Sequence, residues 1–529
     1  MKSNIVTRAT KRVSLPGAAT LLVFTMLLSQ VLGFFRTKFV NSNYPLTGPE
    51  STDVYFAAFK IPDFFFYVLA AGVLSVVLIP ILSERKNKST RAKVWELSTS
   101  IMNLMAIITL CIGVFIFIFA EQLMGIVTSD LTPEQMSNAT TILRLISFNP
   151  LFFTLSGIVT STQQVFGRFF FFAISPLVYN LSIIFSIFIF KDPIGLVGLG
   201  IGALVGGILQ MLVAFVGVIG LGFHWKPVID FKSTDFKRIL KQLPARSLDQ
   251  GADSLNSIVE TNRANQIGQG VVSSYENAFV LHTAPILLIG SSISTAAFPR
   301  LTERLAQGRP DLFRKDFRDV LRVLMWISAP VMILAFFCRG YLARIIFSKG
   351  SAEIALILGF LSVAIFFRII YTLLSRYFYA HKDSTTPLII SVFAIALNII
   401  LVFTLARPQA YGAAGLAIAQ SIVSAVEVLV IGTVMVLQDR RILNAEFWQM
   451  TGRLISVSGF TMVTAFIMVK LLPLNLNDTG FFILGSKLGL IASVSLIVHV
   501  FVSLLFGFKE ARTTLQKISS VVLKPIKIQ

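Results

Sequence analysis

Apolar runs long enough to cross a lipid bilayer recur along the whole chain, and they leave little room for any other fold. The hydrocarbon core of a bilayer is about 30 Å thick and requires about 20 residues of α-helix. About fourteen such runs are present, at residues 17–40, 54–82, 96–119, 140–166, 170–190, 194–221, 243–263, 272–298, 320–346, 354–380, 386–406, 412–437, 451–472 and 481–507. Of the 529 residues, 55% are hydrophobic and 14% are charged, which excludes a soluble protein. The sequence therefore predicts an all-α integral membrane protein with about fourteen transmembrane helices.

Basic residues cluster in alternate connections between these runs. Residues 85–93 and 300–322 are rich in Lys and Arg, whereas residues 41–52 contain none and residues 121–135 are acidic. Cytoplasmic connections of membrane proteins carry the excess of Lys and Arg, so this alternation places both termini in the cytoplasm. The same rule accounts for the net charge of +20, and no nucleic-acid-binding module is present.

The residues that carry most catalytic and metal chemistry are few and scattered. The two cysteines, Cys111 and Cys338, lie in separate apolar runs, and the four histidines lack the spacing of a metal site. No nucleophile lies beside a base and an orienting carboxylate. The sequence predicts that the protein is not an enzyme and has neither a catalytic residue, a metal site nor a cofactor.

The second apolar run contains charges and a helix breaker. On a helical wheel at about 100° per residue, Asp53, Lys60 and Asp63 fall within one narrow stripe. Pro62 falls on the opposite side, where it can kink the helix without interrupting the stripe. Each charge facing lipid costs about 2.5–3.5 kcal/mol, so the stripe is expected to face protein or water.

The seventh run is even more polar, and its polar residues also share one face. Removing it from the count would invert every later connection, so we interpret it as a spanning helix rather than a soluble one. Its charged and amide residues are Arg246, Asp249, Asp253, Asn256, Glu260 and Arg263.

Polar residues in the first and eighth runs extend the pattern. Gln30 and Arg36 lie in the first run, and Glu276 lies in the eighth. We expect spans one, two, seven and eight to line a central, water-filled chamber. The alternative is that these charges only pair and lock helices together, although one buried pair is enough to set a helix register.

Glycines in the sixth run predict a close helix contact. Gly198, Gly202 and Gly206 recur at intervals of four residues, which places them on one face of a helix. A nucleotide-binding loop is the alternative, but no strand precedes the glycines.

Two motifs near the N-terminus resemble those of the MurJ (MviN) lipid II flippase family, which belongs to the multidrug/oligosaccharidyl-lipid/polysaccharide exporter superfamily. They are LSQVLGFFR at residues 28–36 and TDVYFAAFKIPDFFFYVLAAGVLSVVLIPILSE at residues 52–84. RYFYAHKDSTTPLII at residues 376–390 and AFPRLTE at residues 297–303 are also similar to family patterns. The resemblance covers nearly the whole chain.

The resemblance implies two six-helix lobes around a central cavity, followed by two further helices. The corresponding domains are residues 1–221 (spans 1–6), 222–241 (a cytoplasmic connector), 242–440 (spans 7–12) and 441–529 (spans 13–14 and a basic cytoplasmic tail). It also implies binding of a polyprenyl-diphosphate-linked glycopeptide: Arg36 matches a family arginine thought to bind the diphosphate, Asp53 matches the family's acid, and Lys60 matches the base that neighbours this acid. Three arginines of the family pattern are replaced here, by Gln30, Tyr67 and Val280.

The resemblance further implies transport of lipid II from the inner to the outer leaflet of a bacterial cytoplasmic membrane, by alternating access and as a monomer. Such transport serves peptidoglycan biosynthesis, and hence cell-wall biogenesis and cell shape. The acidic seventh run leaves Na⁺ or H⁺ open as a coupling ion. The alternatives are an exporter of another polyprenyl-linked glycan, a cation-coupled drug antiporter, a non-transporting homologue and a membrane-embedded transferase.

Overall fold

The computed structural model describes residues 15–71, 77–347, 349–475, 478, 480–513 and 516, and it confirms the predicted all-α membrane fold. The side chains of residues 15–24, 26, 70–71 and 243–250 lie outside this description. Inter-residue contacts divide the chain into two compact units, Met1–Ser273 and Ser274–Gln529.

The first unit contains ten α-helices among its described residues, with one π-helical turn at Tyr67–Ala71. The helices are α1 (Leu15–Asn43), α2 (Thr52–Phe66), α3 (Leu78–Lys88), α4 (Arg91–Ile118), α5 (Ala120–Val127), α6 (Pro133–Ile146), α7 (Asn149–Val165), α8 (Phe170–Ile194), α9 (Val197–Val216) and α10 (Thr234–Ile267). Helix α2 packs on α6 and α10, and α8 packs on α1 and α9.

The second unit begins within α11 and has a π-helical turn at Ile286–Ser291. Its helices are α11 (Val271–Pro285), α12 (Ser292–Ala306), α13 (Pro310–Phe337), α14 (Arg339–Ile346), α15 (Ser351–Ala380), α16 (Thr385–Leu405), α17 (Gly412–Gln438), α18 (Ala445–Leu471) and α19 (Phe481–Leu505). The core of this unit lies between α13, α15, α17 and α18, where Phe317, Ile369 and Ile431 are fully buried.

Eleven helical stretches among the described residues are long and apolar enough to cross a membrane. They correspond to predicted spans three to six and eight to fourteen. The other three predicted spans contain α1, α2 and α10, of which α10 is too polar to be recognised by composition. The count of fourteen therefore stays a prediction.

The division by contacts differs from the predicted lobe boundaries. Residues 222–241 and all of α10 fall in the first unit, whereas the predicted C-terminal lobe begins at residue 242. The reason is that α10 packs along α2 and the π-helical turn that follows α2. The assignment of spans to two lobes of six stays a prediction.

Proline precedes both π-helical turns in the described chain. Pro62 lies five residues before Tyr67, and Pro285 immediately precedes Ile286. A proline in a helix lacks a backbone N–H donor, and its ring clashes with the carbonyl of the residue four positions earlier. A wider, π-helical turn can let the neighbouring backbone groups form hydrogen bonds again. At the first of these sites, the Tyr67 amide donates to the carbonyl oxygens of both Asp63 and Phe64. The sequence predicted a kink at Pro62, and the irregular turn lies one helical turn beyond it.

The predicted glycine contact face is confirmed. A Cβ atom on Gly198 or Gly202 would overlap Phe190 or Ser186, and one on Gly206 would lie 3.0 Å from Cδ2 of Tyr179. Phe190, Ser186 and Tyr179 all belong to α8, so α8 and α9 form a tight hairpin through these glycines. The Ser182 hydroxyl donates to the Gly202 carbonyl at 2.9 Å, a contact that a side chain at residue 202 would disrupt.

Gly202→Val should destabilise the protein by about 1–3 kcal/mol, because overpacking forces the α8–α9 backbones apart. Gly489→Val in α19 is the matched control, since nothing lies within 4 Å of a Cβ atom there. Thermal unfolding of both variants in detergent measures the difference. Equal melting temperatures would contradict the packing role of Gly202.

Candidate functional site

The charged stripe of α2 passes through three different environments in the first unit. The side chain of Asp53 is only 2% exposed. Lys60, two turns later, is half-buried, and Asp63 is exposed. The three charges lie along one helix, as predicted, but they differ in burial and therefore have different surroundings.

Asp53 holds the start of α11. Its Oδ2 accepts a hydrogen bond from the Gly270 amide at 2.6 Å, and its Oδ1 accepts from the amide and hydroxyl of Ser273 at 2.7 and 2.5 Å. Thr52 adds a contact between its Oγ1 and the Ser273 Oγ at 2.7 Å. A carboxylate at a helix N-terminus satisfies amides that have no partner within the helix and also complements the helix dipole. These contacts give Asp53 a structural role that the sequence did not predict, and its role in substrate binding stays a prediction.

Lys60 connects α2 to the polar face of α10. Its Nζ donates to the Ser257 hydroxyl at 2.8 Å. The Asn256 amide, next to Ser257, donates to Oε1 of Glu260 at 3.1 Å, and Glu260 is only 6% exposed. The structure thus brings together the polar faces of predicted spans two and seven.

Close backbone packing supports this contact. A Cβ atom on Gly251 would lie 2.6 Å from Cγ2 of Val68 in the π-helical turn. Asp253 is exposed two residues later, on the same helix as the buried Glu260. Arg246 and Asp249 were also predicted to line this face, but their side chains lie outside the described part of the chain.

The C-terminal end of α10 is anchored by amide side chains that are not among the predicted site residues. The Asn262 amide donates to the Ile126 carbonyl at 3.0 Å, and Asn265 accepts from the Asp130 amide at 2.8 Å. Gln266 donates to the hydroxyl of Ser129 at 3.0 Å. The spacing of 262, 265 and 266 follows one helix face and could have indicated this contact.

Arg263 lies at the same end of α10, where it donates a hydrogen bond to Gln266. Ion pairs hold the other end of the helix, between Arg85 and Asp235 at 2.7 Å and between Arg238 and Glu84 at 2.9 Å. The 34 residues of α10 span about 50 Å, enough to cross a bilayer with its polar headgroups. Its fixed ends support the interpretation of the seventh run as a spanning helix.

Arg36 and Gln30 lie on α1. Arg36 is half-buried and forms no hydrogen bond or ion pair with the described residues, whereas Gln30 is exposed. The structure therefore shows no described partner for the Arg36 side chain, and its role in diphosphate binding stays a prediction.

The predicted chamber also included Glu276, which is half-buried on α11 in the second unit. A chamber lined by spans one, two, seven and eight stays a prediction.

The second unit contains a buried ion pair between two of its long helices, α15 and α17. Arg368 on α15 donates to Oε2 of Glu427 on α17 at 3.0 Å, and Glu427 is only 3% exposed. The two residues are 59 positions apart, so no local pattern could have joined them. Within the described residues, no group of His, Cys, Asp and Glu side chains is arranged to hold a metal ion.

The sequence model of one protein family, described as "Lipid II flippase MurJ", matches residues 48–487. The chain belongs to this family. A relative from Borreliella burgdorferi, named "Probable lipid II flippase MurJ", is 27% identical over 409 residues, which cover 76% of this chain and 79% of the relative. A relative from Burkholderia cenocepacia, named "Lipid II flippase MurJ", is 25% identical over 69% of this chain and 73% of its own length.

Two solved structures share this fold. "Lipid II flippase MurJ, inward closed conformation" superposes with a TM-score of 0.75 at 22% identity, over 92% of this chain and 98% of that one. "Inward-facing conformation of a multidrug resistance MATE family transporter of the MOP superfamily" gives 0.64 at 13% identity, over 80% of this chain and 99% of that one. The resemblance seen in the sequence is thus confirmed, and so is the fold class.

Replacing Asp53 by Ala should destabilise the protein by about 1–3 kcal/mol, because the amides of Gly270 and Ser273 lose their charged acceptor. Asp53→Asn keeps one acceptor oxygen and should cost less. Asp63→Ala, at an exposed position of the same helix, is the control. Thermal unfolding in detergent measures all three, and an Asp53→Ala protein as stable as the control would contradict the helix-capping role.

Proposed function

We propose that this chain is a lipid II flippase. It carries the lipid-linked peptidoglycan precursor from the inner to the outer leaflet of a bacterial cytoplasmic membrane, by alternating access, and it catalyses no reaction. The observation that carries the proposal is the family match from residue 48 to residue 487, which extends through most of both compact units. In the proposed orientation both termini lie in the cytoplasm, and the working unit is a monomer.

The polar face shared by α2 and α10 supports a path for a charged headgroup. Burying a bare charge in hydrocarbon costs many kcal/mol, so a diphosphate needs polar protein groups or water along its route. The prenyl tail, by contrast, can remain in lipid throughout. Lys60, Ser257 and the exposed Asp253 supply polar groups at the α2–α10 contact.

Arg36 is the proposed diphosphate ligand. Its guanidinium group has five N–H donors in a planar fork, which matches two phosphate oxygens at once. Among the described residues no carboxylate forms an ion pair with it, so binding of a phosphate breaks no such pair. An anion leaving the negative cytoplasm also gains about 2.3 kcal/mol per charge per 100 mV of membrane potential.

The acidic residues of α10 suggest a coupling ion. Asp253 is exposed and Glu260 is buried beside Asn256, so the two carboxylates lie in different environments on the same helix. We propose that Na⁺ or H⁺ binds at this acidic face and resets the transporter. Lipid II transport by proteoliposomes that responds to neither gradient would remove coupling without affecting the flippase assignment.

A cation-coupled drug antiporter is the second candidate, because the fold is shared with a MATE transporter and α10 adds carboxylates. An antiporter would confer drug resistance and would not support peptidoglycan synthesis. Expression in cells depleted of their own flippase therefore distinguishes the two functions.

Arg36→Ala should abolish rescue of such cells, whereas Arg91→Ala, at an exposed arginine that begins α4, should rescue fully. Loss of a charged fork of hydrogen bonds weakens anion binding by about 1.5–3 kcal/mol, or about tenfold to a hundredfold. Colony counts after depletion measure rescue, and membrane immunoblots verify equal expression. Normal rescue by Arg36→Ala would show that the diphosphate site lies elsewhere.

A further inference from the structure

The connection between α9 and α10 is fixed to the side of α4 by hydrogen bonds. The Asn103 amide donates to the carbonyl oxygens of Lys226 and Val228 at 2.6 and 3.1 Å. In return, Nε1 of Trp225 donates to Oδ1 of Asn103 at 2.9 Å. One asparagine of a membrane helix therefore satisfies three polar groups of the connection.

Two further contacts continue this line along α4 toward its start. The Asp230 amide donates to the Ser100 hydroxyl at 2.8 Å. Lys226 forms an ion pair with Glu96 at 2.8 Å. Positions 96, 100 and 103 lie on one helix face, so the connection follows that face.

The connection has two apolar sides, of which only one is covered by the protein. On the inner side, Phe223 stacks edge-on against Trp95 with ring centroids 5.0 Å apart. On the outer side, Trp225 and Val228 are each 58% exposed and Phe231 is 55% exposed. Three large apolar side chains on a segment fixed by hydrogen bonds form an outward-facing apolar surface.

The position of the hydrogen bonds on α4 gives the level of this surface in the membrane. The C-terminal half of α4 exposes Ile107, Leu110, Val114 and Phe117, as a lipid-facing helix does. About 20 helical residues cross the hydrocarbon core, so a crossing that ends at Ile118 begins near residue 99. Ser100 and Asn103 therefore lie at the edge of the hydrocarbon, and so does the connection that they hold.

Basic side chains flank the apolar surface. Lys232, Lys237 and Lys241 are exposed, and within the described residues they form no ion pair. Aromatic residues favour the boundary between headgroups and hydrocarbon, and lysines beside them attract anionic lipid.

We propose that residues 225–241 form a membrane-interface anchor that inserts Trp225, Val228 and Phe231 into the inner leaflet and binds anionic phospholipid headgroups through Lys232, Lys237 and Lys241. The occupant is the lipid surface, because the apolar groups lie at the hydrocarbon edge and the three exposed lysines beside them outnumber the one exposed carboxylate of the segment, Asp230. The anchor fixes the level at which α10 begins. It does not depend on which substrate the protein carries.

Tryptophan fluorescence in lipid nanodiscs tests the insertion. The full-length Trp448→Phe protein removes the other exposed tryptophan, and the Trp225→Phe/Trp448→Phe protein supplies the background from buried Trp95 and Trp326. Acyl chains brominated at carbons 6 and 7 should reduce Trp225 emission relative to unbrominated lipid, because a tryptophan in the interfacial belt lies against the lipid. Quenching by aqueous iodide instead of bromine would overturn the proposal. Protection from both quenchers would assign the surface to a protein partner or a second copy, and would overturn it as well.

The choice of brominated lipid tests the headgroup preference. At equal mole fraction, brominated phosphatidylglycerol should quench Trp225 more strongly than brominated phosphatidylcholine. Lys232→Gln/Lys237→Gln/Lys241→Gln should remove this difference, whereas Arg309→Gln/Lys315→Gln, at another basic connection, should leave it unchanged. Equal quenching by the two lipids in the protein with native lysines would overturn the anionic-lipid part of the proposal.

Discussion

A polar group on a membrane helix needs a partner in protein or water, because hydrocarbon supplies none. This requirement organises the first unit. Asp53 is paired with backbone amides at the start of α11, Lys60 with a hydroxyl on α10, and Asn103 with the connection that precedes α10. Each of these polar side chains contacts a segment that is distant in sequence. The contacts that satisfy the polar groups are therefore also contacts that hold the segments of this unit together.

The requirement also explains why α10 can be the least apolar of the long helices. Its ends are held by ion pairs to α3 and by amide contacts to residues 126–130, and its middle packs on the π-helical turn. A helix with this many contacts to protein does not need apolar side chains on every face. Asp253 remains exposed on this helix and belongs to the polar face for which we propose a transport function.

Several features could be predicted because they depend on short-range patterns. The interval of four between Gly198, Gly202 and Gly206 predicts a contact face whatever its partner is, and α8 supplies that partner. The family motifs predicted the fold that the solved structures share. The structural role of Asp53 could not be predicted, because its main partner, Ser273, lies 220 residues later. For the same reason the partners of Arg368 and of Asn103 did not emerge from the sequence.

The amino-acid sequence by itself determined that the chain is a bundle of membrane helices of the flippase family, and which helix faces carry charge. Hydrophobic length and helical periodicity are properties of neighbouring residues, so they are legible without a structure. Only the tertiary structure decided which charges are occupied in holding helices together and which stay open to a ligand. That distinction depends on distances between segments hundreds of residues apart. Asp53 accepts hydrogen bonds from amides at the start of α11, whereas Arg36, in a similar apolar run, has no hydrogen-bonded partner among the described residues.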